Sequence, residues 1–130
     1  GRILRNRVLP GALIRAEDYV QALRWRTALA GEQAKALQRF DALLTAGALN
    51  VADPADPDQP DRLAGSPSIT MPFSVGGLPA IAIPCGFSRR EGLPLSLQIA
   101  AGPMDEPTVL RVADAYQRAT DWHRRHPVLD

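Results

Sequence analysis

Two short apolar runs separated by a charged tip dominate the hydropathy pattern between residues 79 and 101. In the first run Ile81 and Ile83 alternate with alanines, so both faces of a strand would be apolar. The second run has one apolar face, Leu95, Leu97 and Ile99, and one polar face, Ser96 and Gln98. Because Gly and Pro bracket both runs, the pattern predicts a β-hairpin at about 79–101, with a fully buried first strand and a half-buried second strand.

Helical periodicity lies on both sides of the hairpin. Apolar positions recur at steps of three and four between about residues 16 and 40, which predicts a long helix that Gly31 could bend or break. A second helix is predicted at about 105–125, with Asp105 as its N-cap and Pro127 as its stop. The first helix has one stripe formed by Val20, Leu23, Thr27, Ala30, Ala34 and Leu37. The predicted buried stripe of the second helix is formed by Val109, Val112, Ala113, Tyr116 and Ala119.

The remaining segments complete an α/β architecture. Residues 41–46 predict a short buried strand, and the proline- and aspartate-rich residues 50–67 predict a surface loop. The order helix, strand, loop, hairpin, helix fits a single domain over residues 1–130, a length that can bury a core. We therefore expect a short sheet flanked by helices.

Composition excludes several classes of partner. The net charge is +1 and the apolar runs are far shorter than a membrane span, so neither nucleic acid nor a membrane is expected as a partner. The single cysteine excludes an internal disulfide and fits a reducing compartment, which favours the cytoplasm, and no signal peptide is visible. The chain begins at Gly1 rather than Met, which is typical of a processed chain or an expressed fragment.

Candidate nucleophiles and metal ligands each have a simpler structural interpretation. Cys85 is the only thiol, and because neither histidine is near it in the sequence, a buried structural thiol is favoured. His123 and His126 stand three apart on the predicted helix, but the arginines between them oppose a cation, so no metal site is predicted. The acidic run also lacks the spacing of a calcium loop; its aspartates are Asp53, Asp56, Asp58 and Asp61.

Serine chemistry is no better supported. The candidate hydroxyls are Ser66, Ser68, Ser74 and Ser88, and none lies in a Gly-x-Ser-x-Gly turn. The sole lysine, Lys35, falls within the first predicted helix, where a Ser–Lys dyad is hard to build. Gly76-Gly77 is too short to cradle a phosphate. These residues predict no catalytic site, no cofactor and no metal within this chain.

Several linked motifs nevertheless resemble the amidase-signature family. Residues 77–86, Gly-Leu-Pro-Ala-Ile-Ala-Ile-Pro-Cys-Gly, are similar to its Gly-x-Pro-Ala-(Ile/Leu)-x-(Val/Ile)-Pro-x-Gly segment. Residues 92–99 resemble its Gly-Leu-Pro-(Val/Leu)-Gly-Leu-Gln-(Leu/Ile) strand. Further similar segments are 18–22, 41–45, 105–116 and the Thr-Asp-Trp-His ending at 120–123. The resemblance implies the C-terminal portion of the amidase-signature fold, with a short mixed sheet.

Some positions depart from the family pattern. Ala46-Gly47 stands where Pro-Thr is usual, and Ser96 stands where Gly is usual. Ser74 and Gly76 replace an Asn and a small hydroxyl residue. These departures bear on the subfamily and leave the implied fold intact.

The resemblance also implies an enzyme, an amidase that hydrolyses carboxamides to an acid and an amine or ammonia through an acyl-enzyme. Family members use a Ser–cis-Ser–Lys triad, and no Gly-Gly-Ser-Ser-type segment occurs here, so the triad is expected outside this chain and the chain alone is expected to be inactive. In some relatives an arginine contacts an acidic substrate end. Arg7 is its nearest counterpart and the one substrate-binding candidate, although a surface ion pair is the more ordinary role for such a residue.

Two other hypotheses stay open. One is a non-catalytic binding or assembly module on an amidase-derived scaffold, and the other is an independent enzyme that uses Cys85. Under the amidase hypothesis the partner of the full-length enzyme is a small-molecule amide. If the Ile81/Ile83 face or the Leu95/Leu97/Ile99 face of the sheet is left bare, the isolated chain is expected to self-associate into a homo-oligomer.

Overall fold

The computed structural model describes residues 2–53 and 68–126. Within them the helices and strands are α1 Arg2–Val8, α2 Ala16–Leu37, β1 Ala42–Ala46, α3 Met71–Gly76, β2 Ala80–Phe87, β3 Pro94–Ala101 and α4 Glu106–Ala119. Two 3₁₀ turns, Leu9–Leu13 and Trp122–Arg124, follow α1 and α4. Of the loop predicted at 50–67, residues 54–67 lie outside the described residues, so that prediction stays open.

The three strands form one antiparallel sheet in the order β1-β3-β2. The predicted hairpin is confirmed, since β2 and β3 pair directly, with Ile81 opposite Ile99. On the other side of β3, Leu44 of β1 also lies opposite Ile99. The α/β class is therefore confirmed, and the described strands pair in antiparallel fashion rather than in a mixed sheet.

Burial in the hairpin is the reverse of the prediction. β3 holds the central position, and its Ile99 is fully buried at 0% exposure. β2 lies at an edge, where Ala80 and Ala82 are exposed, so only one of its faces is covered. The prediction of a fully buried first strand and a half-buried second strand was wrong. β3 lies between β1 and β2, whereas β2 has a neighbouring strand on one side only among the described residues.

The core lies on both faces of the sheet. On one face Ile83 and Ile99 pack against Ala113 of α4, with Val112 and Tyr116 beside them. On the other face Ala100 packs in a cluster with Leu37, Phe73 and Leu78. The predicted inner stripe of α4 is thus confirmed at Val109 and Ala113, which are buried, whereas Ala119 is exposed.

The first long helix is confirmed, with two differences. α2 runs through Gly31 without interruption and ends at Leu37 rather than near residue 40. Leu37 is its one buried residue, because the described part of the chain covers only the C-terminal end of the predicted stripe. The strand that follows was predicted as buried, and this was wrong: β1 is an edge strand, and its Leu44 is largely exposed.

The second helix begins as predicted and ends early. The Asp105 carboxylate accepts a hydrogen bond from the Thr108 amide at 3.3 Å, which confirms the N-cap. α4 ends at Ala119 rather than near residue 125, because Thr120 is extended and the chain turns back. The turn lets Trp122 meet Phe87 of β2 edge to face, with ring centroids 6.1 Å apart. The predicted stop, Pro127, lies outside the described residues.

The short helix α3 was not predicted. Pro72 occupies its first turn, where a missing amide hydrogen costs nothing, and Gly77 ends it in the left-handed region at φ 70°. Two side chains of α2 donate hydrogen bonds to the backbone of α3. Arg26 Nε donates to the Val75 carbonyl at 2.9 Å, and Gln33 Nε2 donates to the Pro72 carbonyl at 3.0 Å. α3 is therefore fixed mainly by contacts far away in the sequence.

Candidate functional site

An open cleft of about 330 Å³ lies where α2 passes into β1, beside the connection from β3 to α4. It is lined by Leu37, Gln38, Arg39, Phe40, Asp41, Gly102 and Asp105. The strand register explains the cleft, since Ala42 pairs with Ala101 and so brings the residues just outside the two strands together. The cleft is a concave candidate site within residues 2–53 and 68–126.

The lining of the cleft carries both signs of charge. Arg39 supplies a guanidinium, and Asp41 and Asp105 supply carboxylates, one of which already caps α4. Such a lining can hold a small polar molecule through charge-assisted hydrogen bonds. No serine, cysteine, histidine or lysine is among the lining residues, so the cleft offers neither a nucleophile nor a base for acyl transfer.

Cys85 sits where the β2–β3 register shifts, between Pro84 and Gly86. Its thiol is free and half-buried. The 3₁₀ turn that carries His123 packs against the same strand, and His123 Nδ1 is buried without a hydrogen-bond partner. No hydrogen bond joins Cys85 to His123 among the described side chains, so the pair does not have the geometry of an activated nucleophile.

The candidate serines do not form a catalytic group in the described part of the chain. Ser88 Oγ donates to Glu91 at 2.5 Å and stabilises the hairpin tip. Ser68 Oγ lies 2.9 Å from Thr70 Oγ1, and Ser74 is exposed on α3. Lys35 lies on α2, and neither Ser68 nor Ser88 bonds to it. Ser66 lies outside the described residues.

The metal and substrate candidates have mixed outcomes. Within residues 2–53 and 68–126, no three His, Cys, Asp or Glu side chains are grouped so that they could hold a metal ion. Asp53 is exposed, and Asp56, Asp58 and Asp61 lie outside the described residues. Arg7 belongs to the backbone of α1, but its side chain is not among those that the structure describes, so its substrate role stays a prediction.

No helix in the described ranges is both long enough and apolar enough to cross a membrane.

Sequence reasoning missed the cleft and the two α2 side chains that hold α3. The cleft could have been found by pairing residues 41–46 with the hairpin, because that pairing alone joins Asp41 to Gly102. Arg26 and Gln33 carried no comparable signal. Their partners are backbone carbonyls 49 and 39 residues away, and a carbonyl is the same in every residue type.

A comparison with protein-family models matches the amidase family over residues 1–110 of this chain. The chain belongs to the amidase family. This confirms the resemblance drawn from the hairpin motifs.

Known proteins agree with this assignment. The chain is 38% identical to a subunit of the glutamyl-tRNA(Gln) amidotransferase of Chloroflexus aggregans over 136 residues, which cover 99% of this chain and 28% of that protein. It is similarly related, at 38% identity over 113 residues, to the corresponding subunit of Moorella thermoacetica, covering 85% of this chain and 23% of that protein. The chain thus spans little more than a quarter of the length of such relatives.

Solved structures share the fold. A crystal structure of an amidase superposes with a TM-score of 0.70 at 26% identity, covering 92% of this chain and 29% of that one. A 6-aminohexanoate cyclic dimer hydrolase superposes with a TM-score of 0.69 at 25% identity, covering 89% of this chain and 27% of that one.

Proposed function

We propose that this chain is the C-terminal part of an amidase, an enzyme that hydrolyses a carboxamide to an acid and an amine or ammonia through an acyl-enzyme. The observation that carries the proposal is the family match over residues 1–110 in a chain that spans 28% of a 38% identical relative. The 6-aminohexanoate cyclic dimer hydrolase, which shares the fold, is named for the hydrolysis of a cyclic dimer.

The catalytic triad of this enzyme lies outside the 130 residues. Acyl transfer needs a nucleophile activated by a neighbouring base, and the cleft lining contains neither. The sole lysine lies on the long helix α2, which has Leu37 as its one buried residue, and not in the buried setting in which a lysine becomes a base. The chain alone is therefore inactive.

In the proposed enzyme this chain supplies a structural part of the fold. Its sheet and the helices that cover it complete the scaffold on which residues from the rest of the enzyme are positioned. Arg7 remains the residue proposed to contact an acidic substrate end, and the cytoplasm remains the proposed compartment, supported by an unpaired Cys85.

The test is a chimera in which this chain replaces the matching 27% of the 6-aminohexanoate cyclic dimer hydrolase. Hydrolysis of the cyclic dimer is measured for the chimera, for the same hydrolase lacking that segment and for this chain alone. We expect turnover by the chimera only. A chimera that melts cooperatively but is no more active than the truncated hydrolase would overturn the proposal, as would turnover by the chain alone.

The alternative is a binding or assembly module that has kept the amidase scaffold without its chemistry. Two clusters of buried residues, one on each face of the sheet, favour a chain that can fold by itself. A cooperative melt of the isolated chain, together with an inactive chimera, would support this alternative.

A further inference from the structure

Four arginines from two segments come together at the hairpin end of the sheet. One segment is the tip between β2 and β3, and the other is the 3₁₀ turn that follows α4. Phe87 at the end of β2 packs against Trp122 of this turn, with ring centroids 6.1 Å apart, so the two segments are neighbours. Each arginine follows one of the two rings by two or three residues. We call these four side chains the arginine patch: Arg89, Arg90, Arg124 and Arg125.

Local hydrogen bonds fix the backbone of both segments. In the tip, the Ser88 amide donates to the Leu93 carbonyl at 2.8 Å, and the Glu91 amide donates to the Ser88 hydroxyl at 3.0 Å. In the turn, the Arg124 amide donates to the Asp121 carbonyl at 3.0 Å. The arginine patch is therefore presented on a defined backbone, which lowers the entropic cost of binding a partner.

Arg125 is already engaged and supports the patch. Its guanidinium donates to the Asp121 carboxylate, from Nε at 3.2 Å and from Nη2 at 2.9 Å. It also lies over the Trp122 ring, 4.3 Å from the centroid, in a cation–π contact. One face of this indole is therefore covered by a guanidinium and is closed to a stacked nucleic-acid base.

The other three arginines of the patch face solvent. The Arg90 side chain is 92% exposed, and its Nε lies 3.8 Å from the Glu91 carboxylate, at the outer limit of an ion pair. Arg89 and Arg124 are exposed and form no ion pair with a carboxylate of residues 2–53 and 68–126. Because exposed ion pairs contribute little free energy, all three guanidinium groups can take new carboxylate partners.

We propose that the arginine patch binds an acidic peptide segment of another protein, one that carries two or three closely spaced carboxylates. A guanidinium matches a carboxylate through two parallel hydrogen bonds, and three solvent-facing guanidinium groups fit such a segment. A nucleic acid fits less well, because one face of Trp122 is covered by Arg125. The net charge of +1 also gives no long-range attraction for a polyanion.

The arginine patch is separate from the cleft at Asp41 and Gly102. β3 begins at the tip with Pro94 and ends beside the cleft with Ala101. The two features therefore lie at opposite ends of this strand, roughly 23 Å apart at about 3.3 Å per residue. The inference goes beyond the proposed function and does not depend on it, so its failure would leave the proposed function unchanged.

Fluorescence anisotropy of a labelled peptide, Glu-Ala-Glu-Ala-Glu, tests the inference. The peptide is titrated with the 130-residue chain at an ionic strength of about 0.01 M, where charges are weakly screened. We expect saturable binding that Arg89→Gln and Arg124→Gln each weaken about threefold, since each removes one exposed ion pair. The matched control is Arg24→Gln, which removes the same charge at an exposed position of α2, on the other face of the sheet, and should leave the affinity unchanged.

Three results would overturn the inference. One is the absence of binding to the wild-type chain, or equal binding of the neutral peptide Gln-Ala-Gln-Ala-Gln. Another is an equal loss of affinity in Arg24→Gln, Arg89→Gln and Arg124→Gln, which would indicate attraction by the overall charge alone. The third is displacement of the peptide by a single-stranded RNA of about 12 nucleotides that binds more tightly, which would identify the patch as a nucleic-acid site.

Discussion

At the scale of single residues, Gln33 explains why position 76 is a glycine. The Gln33 amide reaches from α2 to the Pro72 carbonyl, and this places its Oε1 where a Cβ on residue 76 would lie. That Oε1 atom is buried and has no hydrogen-bond partner in the described part of the chain. A Cβ at residue 76 would therefore force the Gln33 side chain to move, whereas at Gly77 the φ of 70° favours glycine directly.

A double-mutant cycle tests this contact. In the wild-type background, Gly76→Ala should displace Gln33 and lose its hydrogen bond to Pro72, which costs about 1 kcal/mol. In the Gln33→Ala background the same change should be neutral or stabilising, so the coupling free energy should be about 1 kcal/mol. Urea unfolding measures both.

Gly31→Ala serves as the control for this cycle, since open space surrounds that position in the middle of α2. It should stabilise the chain by about 1 kcal/mol whether or not Gln33 is present. A coupling of zero between Gly76→Ala and Gln33→Ala would contradict the contact.

At the scale of elements, the helix ends separate what the sequence could predict from what it could not. The beginning of α4 follows from a local signal, because an Asp before Glu-Pro is a cap whose hydrogen bond spans three residues. Its end follows from a distant contact, the packing of Trp122 on Phe87 of β2. Periodicity therefore predicted the start correctly and placed the end too late.

Removing the cap should have a measurable cost. Asp105→Ala deletes the acceptor for the Thr108 amide and should lower the free energy of unfolding by about 1 kcal/mol. Asp114→Ala, which removes an exposed ion pair with Arg118, should change it by less than about 0.5 kcal/mol. Equal effects of the two substitutions in thermal melts would contradict the assignment of Asp105 as the cap.

At the scale of the whole molecule, much of the apolar surface of residues 2–53 and 68–126 is exposed. Trp25 of α2 is 69% exposed, and Leu13, which precedes α2, is 85% exposed. Of the stripe that periodicity places along α2, only Leu37 is buried in the described structure. Its N-terminal members, Val20 and Leu23, stay exposed, because no described segment packs on them.

Self-association of the isolated chain is therefore expected. Light scattering should give a mass above the 14.1 kDa of one chain, and Trp25→Arg should lower that mass because it places a charge on the exposed apolar face of α2. A clean monomer at high concentration would contradict this expectation.

The fold was more predictable than the candidate site, because local signals can be read from the sequence and long-range pairings cannot. The hairpin, α2 and the start of α4 depend on local periodicity and capping, which single residues reveal. The central place of β3, the helix α3 and the cleft at Asp41 and Gly102 depend on pairings across the chain. Such pairings leave little trace in the residue types themselves.

We propose that this chain is one part of an amidase whose catalytic triad lies elsewhere in the same polypeptide. The most direct measurement is to sequence the coding region upstream of the Gly1 codon. We expect an open reading frame that continues upstream for several hundred codons and encodes a lysine and a Gly/Ser-rich segment with two serines. A stop codon followed by a start codon immediately before Gly1 would contradict it and leave the binding-module alternative.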